Sequence, residues 1–246
     1  MRATRLIMGM PIAVEIIDAN AAAHVESIFT FFEEVDVRFS TYKTDSEISK
    51  INRGEIAADD YSHEMREIFT LAEKTKRETQ GFFDIRRPDG TIDPSGIVKG
   101  WAIQKAAEML LQRGVEHFFL DVGGDIQSHG LNEEDEEWTV GIRSPFVLSQ
   151  LVKVLIPHAQ GVATSGTYIR GQHIYNPRAP DRTIDDIVSL TVIGPNVLEA
   201  DRYATAAFAM GRDGISFVES LPGFEGYMID RNGIATMTTG FQKYTV

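Results

Sequence analysis

HFFLDVGGDI, residues 117–126, is the stretch whose reading decides the fold. Residues 117–122 form a short run rich in aromatic and β-branched side chains, the mark of a strand, and Gly123 and Gly124 directly after it permit a tight turn and a close approach of ligand to backbone. A dinucleotide-binding unit would place Gly-x-Gly-x-x-Gly here and open a helix with it. That spacing is missing, and the residues after Gly124 read as a second strand, so the chain doubles back and the sheet is antiparallel.

Further short strand runs follow at 138–142, 151–156, 161–164, 187–193 and 226–229, each bounded by Gly, Pro, Asn or Asp. Upstream of the deciding stretch the pattern is helical. After a first strand ending near Ile17, Val25, Ile28, Phe29, Phe32, Val35 and Phe39 recur at three- and four-residue steps and predict an amphipathic helix over 21–39. Asp45 or Ser46 can cap a short helix through Ile51, and Ser62 a longer one that stops at Gly81. A helix beginning near Lys99 runs through Leu111 to a stop at Gly114, and an alanine-rich helix over 198–210 ends at Gly211. The fold class is α+β, largely antiparallel, in one domain of two lobes over 1–246, because no repeat or linker divides the chain.

The 246 residues are 43% hydrophobic, enough for a core without disulfides. With 36 acidic against 24 basic residues, the net charge of -12 repels phosphate backbones and anionic lipid, so nucleic acid and membrane are poor partners. A phosphate-bearing ligand needs a local exception: a cation, a few aimed Lys or Arg, or backbone amides. Cysteine is absent, which excludes thiolate chemistry, and the alternating N-terminus reads as a strand rather than a signal; cytoplasmic residence is the expectation.

Asp201 and Thr205, one turn apart in the alanine-rich helix, offer a carboxylate and a hydroxyl to a hard cation such as Mg2+. On its own the pair also reads as an exposed Asp near a helix start and a Thr bonded back to the helix. DPSGIVKGWAI, residues 93–103, supplies a turn into a helix with Lys99 close by, suited to an anion or to an ordinary capped turn. GVATSGTYIRGQHIYNP, residues 161–177, gathers Ser165, Arg170 and His173 in a strand-turn-strand stretch without the Gly-x-Ser-x-Gly elbow of a serine hydrolase. The other five histidines show no metal-ligand spacing.

In order and spacing these segments resemble the ApbE family of flavin transferases. The match runs through MGM (8–10), FSTYKTDSEISKIN (39–52), GFFD (81–84), DPSGIVKGWAI (93–103), DVGGDI (121–126), VATSGTYIR (162–170), HIYNP (173–177) and EADRYATAAFAMG (199–211). The resemblance implies a T-fold-like body with two lobes around an FAD cleft. It assigns Met8, Phe82, Phe83, Asp84, Asp93, Lys99 and Tyr175 to FAD, and Asp201, Thr205 and the Gly96 carbonyl to Mg2+; Tyr42, as an aromatic face for the flavin ring, and Arg170, as a partner for phosphate, join the FAD set on their chemistry. His173 falls where the family's site has its histidine, and with Lys99 carries the catalytic assignment. The implied reaction moves FMN from FAD to a Thr or Ser hydroxyl of an acceptor flavoprotein and releases AMP. The rivals are an FAD pyrophosphatase giving FMN and AMP, and a silent flavin-binding module. Two departures stand out: the connection between Asp84 and Asp93 is shorter than the family's, and Asn176 replaces the family's Asp before Pro177.

Overall fold

The computed structural model describes residues 1–147, 149–167 and 174–246. Among the described residues, ten strands fall into two antiparallel sheets. The larger is built from β1 (Arg2–Ile7), β2 (Met10–Ile16), β3 (Phe118–Val122), β4 (Asp125–His129), β7 (Gly161–Gly166), β8 (Ile187–Gly194), β9 (Glu225–Asp230) and β10 (Ala235–Met237), in that spatial order. The smaller pairs β5 (Val140–Arg143) with β6 (Leu151–Leu155). What reads in the sequence as one strand to Ile17 is a hairpin, β1 and β2. The turn at Met8 and Gly9 has φ of 55° and 72°, conformations that apolar patterning does not announce. The deciding stretch folds as its glycines require, β3 and β4 pairing Val122 with Asp125 across a two-residue turn.

Among the described residues, six α-helices pack on this frame: α1 (Ala21–Phe39), α2 (Glu47–Asn52), α3 (His63–Glu78), α4 (Ser95–Gln112), α5 (Val197–Ala209) and α6 (Gly214–Glu219). The phenylalanines that predict α1 are its buried stripe, with Phe29 and Phe32 fully enclosed; each such ring contributes about 1.5–3 kcal/mol. Ser46 and Ser62 cap α2 and α3, accepting from the amides of Ser49 and Met65 at 3.1 Å. Helix α4 begins at Ser95, earlier than its apolar pattern indicates, because Pro94 suits a helix entry; this puts Gly96 in the first turn.

The core has three parts. Helices α1 and α4 pack on the β1–β4 part of the sheet, with α2 and α3 against them, whereas α5 covers β7 and β8 and α6 packs on β9. The β5–β6 hairpin and the turn over Phe241–Tyr244 close on Ile126, Val162, Ile193, Tyr227 and Ile229. Strand β8 is therefore buried along nearly its whole length. Helices α4 and α5 meet at Gly100, where a Cβ would lie 2.8 Å from the Asp201 Cβ; only glycine permits this crossing. Among the described residues, no helix is long and apolar enough to cross a membrane.

Candidate active site

Where α4 and α5 cross beside the ends of β4 and β7, a cavity opens between the C-terminal turn of α3 and the residues after 173. Each wall is placed by a local device. Helix α3 ends with Gln80 and Gly81 at positive φ and the Gly81 amide bonded to the Lys76 carbonyl at 2.8 Å, a left-handed helix stop that swings Phe82, Phe83 and Asp84 into the lining. The 85–93 connection folds as a small hairpin, with Arg86 bridged to Ile92 and the Asp93 amide bonded to Ile85. The side chain of Asn52 grips Ile92 by both its amide and its carbonyl. Asp93 is paired with Arg87 and accepts from the Ser95 amide at 3.1 Å, and Lys76 holds Asp84 at 2.6 Å. Opposite, the Tyr175 hydroxyl donates to the Arg86 carbonyl at 3.2 Å.

The inner end is ionic. Lys99 Nζ lies 2.5 Å from Asp125 Oδ2 and 3.6 Å from Asp201 Oδ1. Asp125 also accepts from the Thr164 amide at 3.0 Å, and Asp201 Oδ2 from the Gly100 amide at 2.8 Å. This is the amide an α-helical ladder aims at the Gly96 carbonyl, so the Asp201 side chain sits against the same turn of α4 that carries Gly96. Thr205 is equally close: a Cβ on Gly96 would be 3.4 Å from its Cγ2 and 3.3 Å from the Phe83 ring. Asp201 is only 3% exposed, which removes the reading of a solvated Asp at a helix start. Burial raises its carboxyl to about 7; the Lys99 ammonium opposes this, and the neighbouring Asp125 carboxylate adds to it.

Two carboxylates beside one ammonium leave excess negative charge in a buried place, which a divalent cation would offset. The donors that Asp201, Thr205 and the Gly96 carbonyl present are all oxygen, the set Mg2+ takes, so these residues fit that ion. They do not amount to an all-carboxylate cage, and no group of three or more His, Cys, Asp or Glu able to hold a metal occurs among the described residues.

Of the residues assigned from sequence, Phe82, Phe83, Asp84, Asp93, Gly96, Lys99, Tyr175, Asp201 and Thr205 line this one cavity. Met8 and Tyr42 are not among its lining residues; Met8 packs against the core, and Tyr42 is 97% exposed. Arg170 and His173 lie outside the described residues. Asp125 was legible only as the end of a glycine turn, yet it is Lys99's nearest acid. Arg87, Thr164 and Ser165 join the lining without having been assigned to it.

An α+β frame with an aromatic wall and a buried Lys-carboxylate cluster facing across one cavity defines a ligand-binding enzyme class rather than a structural module. The ApbE family model matches residues 8–87 and 85–228, and the chain belongs to the ApbE family. A relative in Klebsiella pneumoniae (strain 342), named FAD:protein FMN transferase, is 30% identical over 155 residues, covering 59% of this chain and 44% of its own length. The chain thus spans less than half of the curated relatives of this kind. A Salmonella typhimurium protein of the same name is 25% identical over 279 residues, covering 88% of this chain and 80% of its own. The flavin transferase ApbE from Vibrio cholerae superposes with a TM-score of 0.86 at 23% identity, over 99% of this chain and 98% of that one, which shows the shared fold.

The flanking aromatics carry a prediction. Phe82 and Tyr175 are only half-buried, and one face of Phe82 is already covered by Arg178, whose Cζ stands 4.7 Å from the ring centre. On the reading that FAD fills this cavity, replacing both by Ala should weaken its binding about 5- to 150-fold, from two lost ring contacts of about 0.5–1.5 kcal/mol each, with little change in melting temperature. Unchanged affinity alongside lost thermal stability would mean that the two rings merely pack.

Proposed function

We propose that this protein transfers FMN from FAD to a Thr or Ser hydroxyl of a target flavoprotein, releasing AMP, with Mg2+ as its metal. The observation that carries the reading is the joining, in one cavity, of the Phe82, Phe83 and Tyr175 wall to the Lys99, Asp125 and Asp201 cluster. FAD has those two characters, a flat apolar ring at one end and a pyrophosphate further along. The names of the relatives from Klebsiella and Salmonella support the same assignment.

Asp84 and Asp93, held by Lys76 and Arg87, offer acceptors only, which suits hydroxyl or ring N–H groups of the ligand and turns its phosphates elsewhere. Lys99 sits at the end where the pyrophosphate would lie, but its charge is shared with Asp125 and Asp201, so a bound cation is what would make that end attract phosphate. Bound Mg2+ would draw off charge from the pyrophosphate oxygens, and Asp201, Thr205 and the Gly96 carbonyl are the residues that would hold it. The acceptor oxygen bonds to the FMN-side phosphorus as that phosphorus parts from the bridging oxygen. AMP carries the bridging oxygen away, and the hydroxyl proton leaves to a base. On the family resemblance His173 would either orient the pyrophosphate or accept the hydroxyl proton, and Arg170 would help neutralise the pyrophosphate.

The test is incubation with FAD and Mg2+, with and without a Thr-containing acceptor protein. The acceptor mass should rise by FMN less one water, AMP should form in equal amount, and the adduct should vanish when the acceptor Thr becomes Ala. FMN release that an acceptor neither speeds nor diverts refutes transfer and makes the protein an FAD pyrophosphatase.

A further inference from the structure

Among the described residues Arg202 is the largest fully buried side chain, 1% exposed, and it is not among those that line the cavity. It follows Asp201 directly in α5, so the two side chains leave the helix about 100° apart. Asp201 turns toward Gly100 and Lys99 on α4, whereas Arg202 turns toward the last turn of α3. There Nη1 donates to Glu78 Oε2 at 2.5 Å and reaches Thr75 Oγ1 at 3.4 Å, while Nη2 bonds to Glu199 and, at 3.0 Å, to the Tyr203 hydroxyl. That hydroxyl donates in turn to Glu78 Oε2 at 3.1 Å, and the guanidinium lies 4.0 Å from the Tyr203 ring centre.

The turn so gripped is the one that delivers the aromatic wall. Thr79, next to Glu78, is fully buried; its hydroxyl donates to the Thr75 carbonyl at 2.8 Å and accepts from the Phe83 amide at 3.2 Å. The Phe82 amide bonds to the Thr79 carbonyl at 3.0 Å. A continuous hydrogen-bonded path therefore runs from Arg202 through Thr75, Glu78 and Thr79 to Phe82 and Phe83. Its other end is the backbone of Asp201.

We propose that Arg202 is a positioning residue that sets the distance between the flavin-side wall on the α3 turn and the metal end on α5. A buried guanidinium with two carboxylates costs more to desolvate than an apolar side chain of its size, and such groups fix geometry rather than add stability. Its planar fork addresses Glu78 and Glu199 at once, which a lysine ammonium on a flexible stem does not reproduce. The inference rests on the proposed function for both ends of the cavity, the flavin against Phe82 and the metal-bound pyrophosphate beside Asp201.

Titration of the whole protein with FMN and, separately, with ADP and Mg2+ tests it, because the two probes occupy opposite ends of the cavity. Glu78→Gln keeps the size of the side chain and a hydrogen-bond acceptor, and Arg202→Lys keeps the charge. Both should weaken FMN binding several-fold to about tenfold, the size of one misplaced aromatic ring contact, and leave ADP affinity within about twofold. Should Arg202→Lys fail to fold, the half-exposed Glu78 variant carries the comparison. FMN affinity unchanged in both, or FMN and ADP affinities falling together with melting temperature, overturns the proposal. A parent protein that binds FMN no better than its Phe82→Ala variant shows instead that the flavin assignment itself has failed.

Discussion

Asp201→Asn is expected to lower Mg2+-dependent cleavage of FAD by at least about 100-fold, because it removes the carboxylate of the proposed metal set, an interaction worth several kcal/mol in such reactions. The fold should survive. Asn has the same shape beside Gly100 and keeps an oxygen for the Gly100 amide, which now donates to Asp201 Oδ2. Lys99 keeps its closer partner, Asp125. Since the substitution also takes one of two neighbouring buried charges away, the metal-free variant should melt at the parent's temperature or above it. Mg2+ should raise the melting temperature of the parent and leave that of the variant unmoved. A variant that still turns over FAD with the parent's Mg2+ dependence takes Asp201 out of the metal site.

Lys99→Met is expected to act on the fold as well as on the reaction. It strips the cation from Asp125 and Asp201, and removal of one partner from a buried ionic group costs about 3–5 kcal/mol. The cost should depend on pH in a definite direction. The Asp201 carboxyl is raised from its ordinary 3.8 to about 7 in the folded protein, so the fold binds this proton more tightly than the unfolded chain does. The stability gained from it is full below about pH 4 and drains away as pH rises to about 7, above which the ionised carboxylate weighs against folding. Denaturant titrations of the metal-free protein should show the Lys99→Met deficit largest near pH 8 and smaller near pH 5. Mg2+ should recover part of it at the higher pH. A deficit equal at both values would indicate that Lys99 contributes by packing alone.

Much of the frame was open to reading from residue order, for physical reasons that differ between elements. Helix α1 announces itself because its phenylalanines and valines face one core, and α2 and α3 because Ser46 and Ser62 close their first turns. Strand β10 did not, since Ala235–Met237 is exposed along its length and carries no alternation; it exists through pairing with β9. The hairpin of β1 and β2 was hidden for the opposite reason, apolar alternation running on through a turn whose first residue is Met8. Within the site, the Asp201 and Thr205 spacing was visible, but their burial was not. The cue lay in the helix itself: Ala200, Ala204, Ala206, Ala207 and Ala209 leave α5 little polar face, so an acid within it was already bound inward. The pairing of Lys99 with Asp125 joins a helix to a strand, and residue spacing carries no information about such a meeting.

The hairpin between Asp84 and Asp93 separates what a loop does from what its ends do. Its base is stapled three times over, by the Arg86–Ile92 bridge, by the Asp93 amide on Ile85 and by Asn52 reaching across from α2. Beyond those staples, each doubling of loop length adds only about 0.6 kcal/mol of closure entropy. The tip at 88–90, beyond Arg87, is therefore an interchangeable part: it can be lengthened or replaced while the walls it joins keep their places. Selection on it can retune which molecules enter without reopening the chemistry beneath, and a designer could graft a recognition loop there on the same terms.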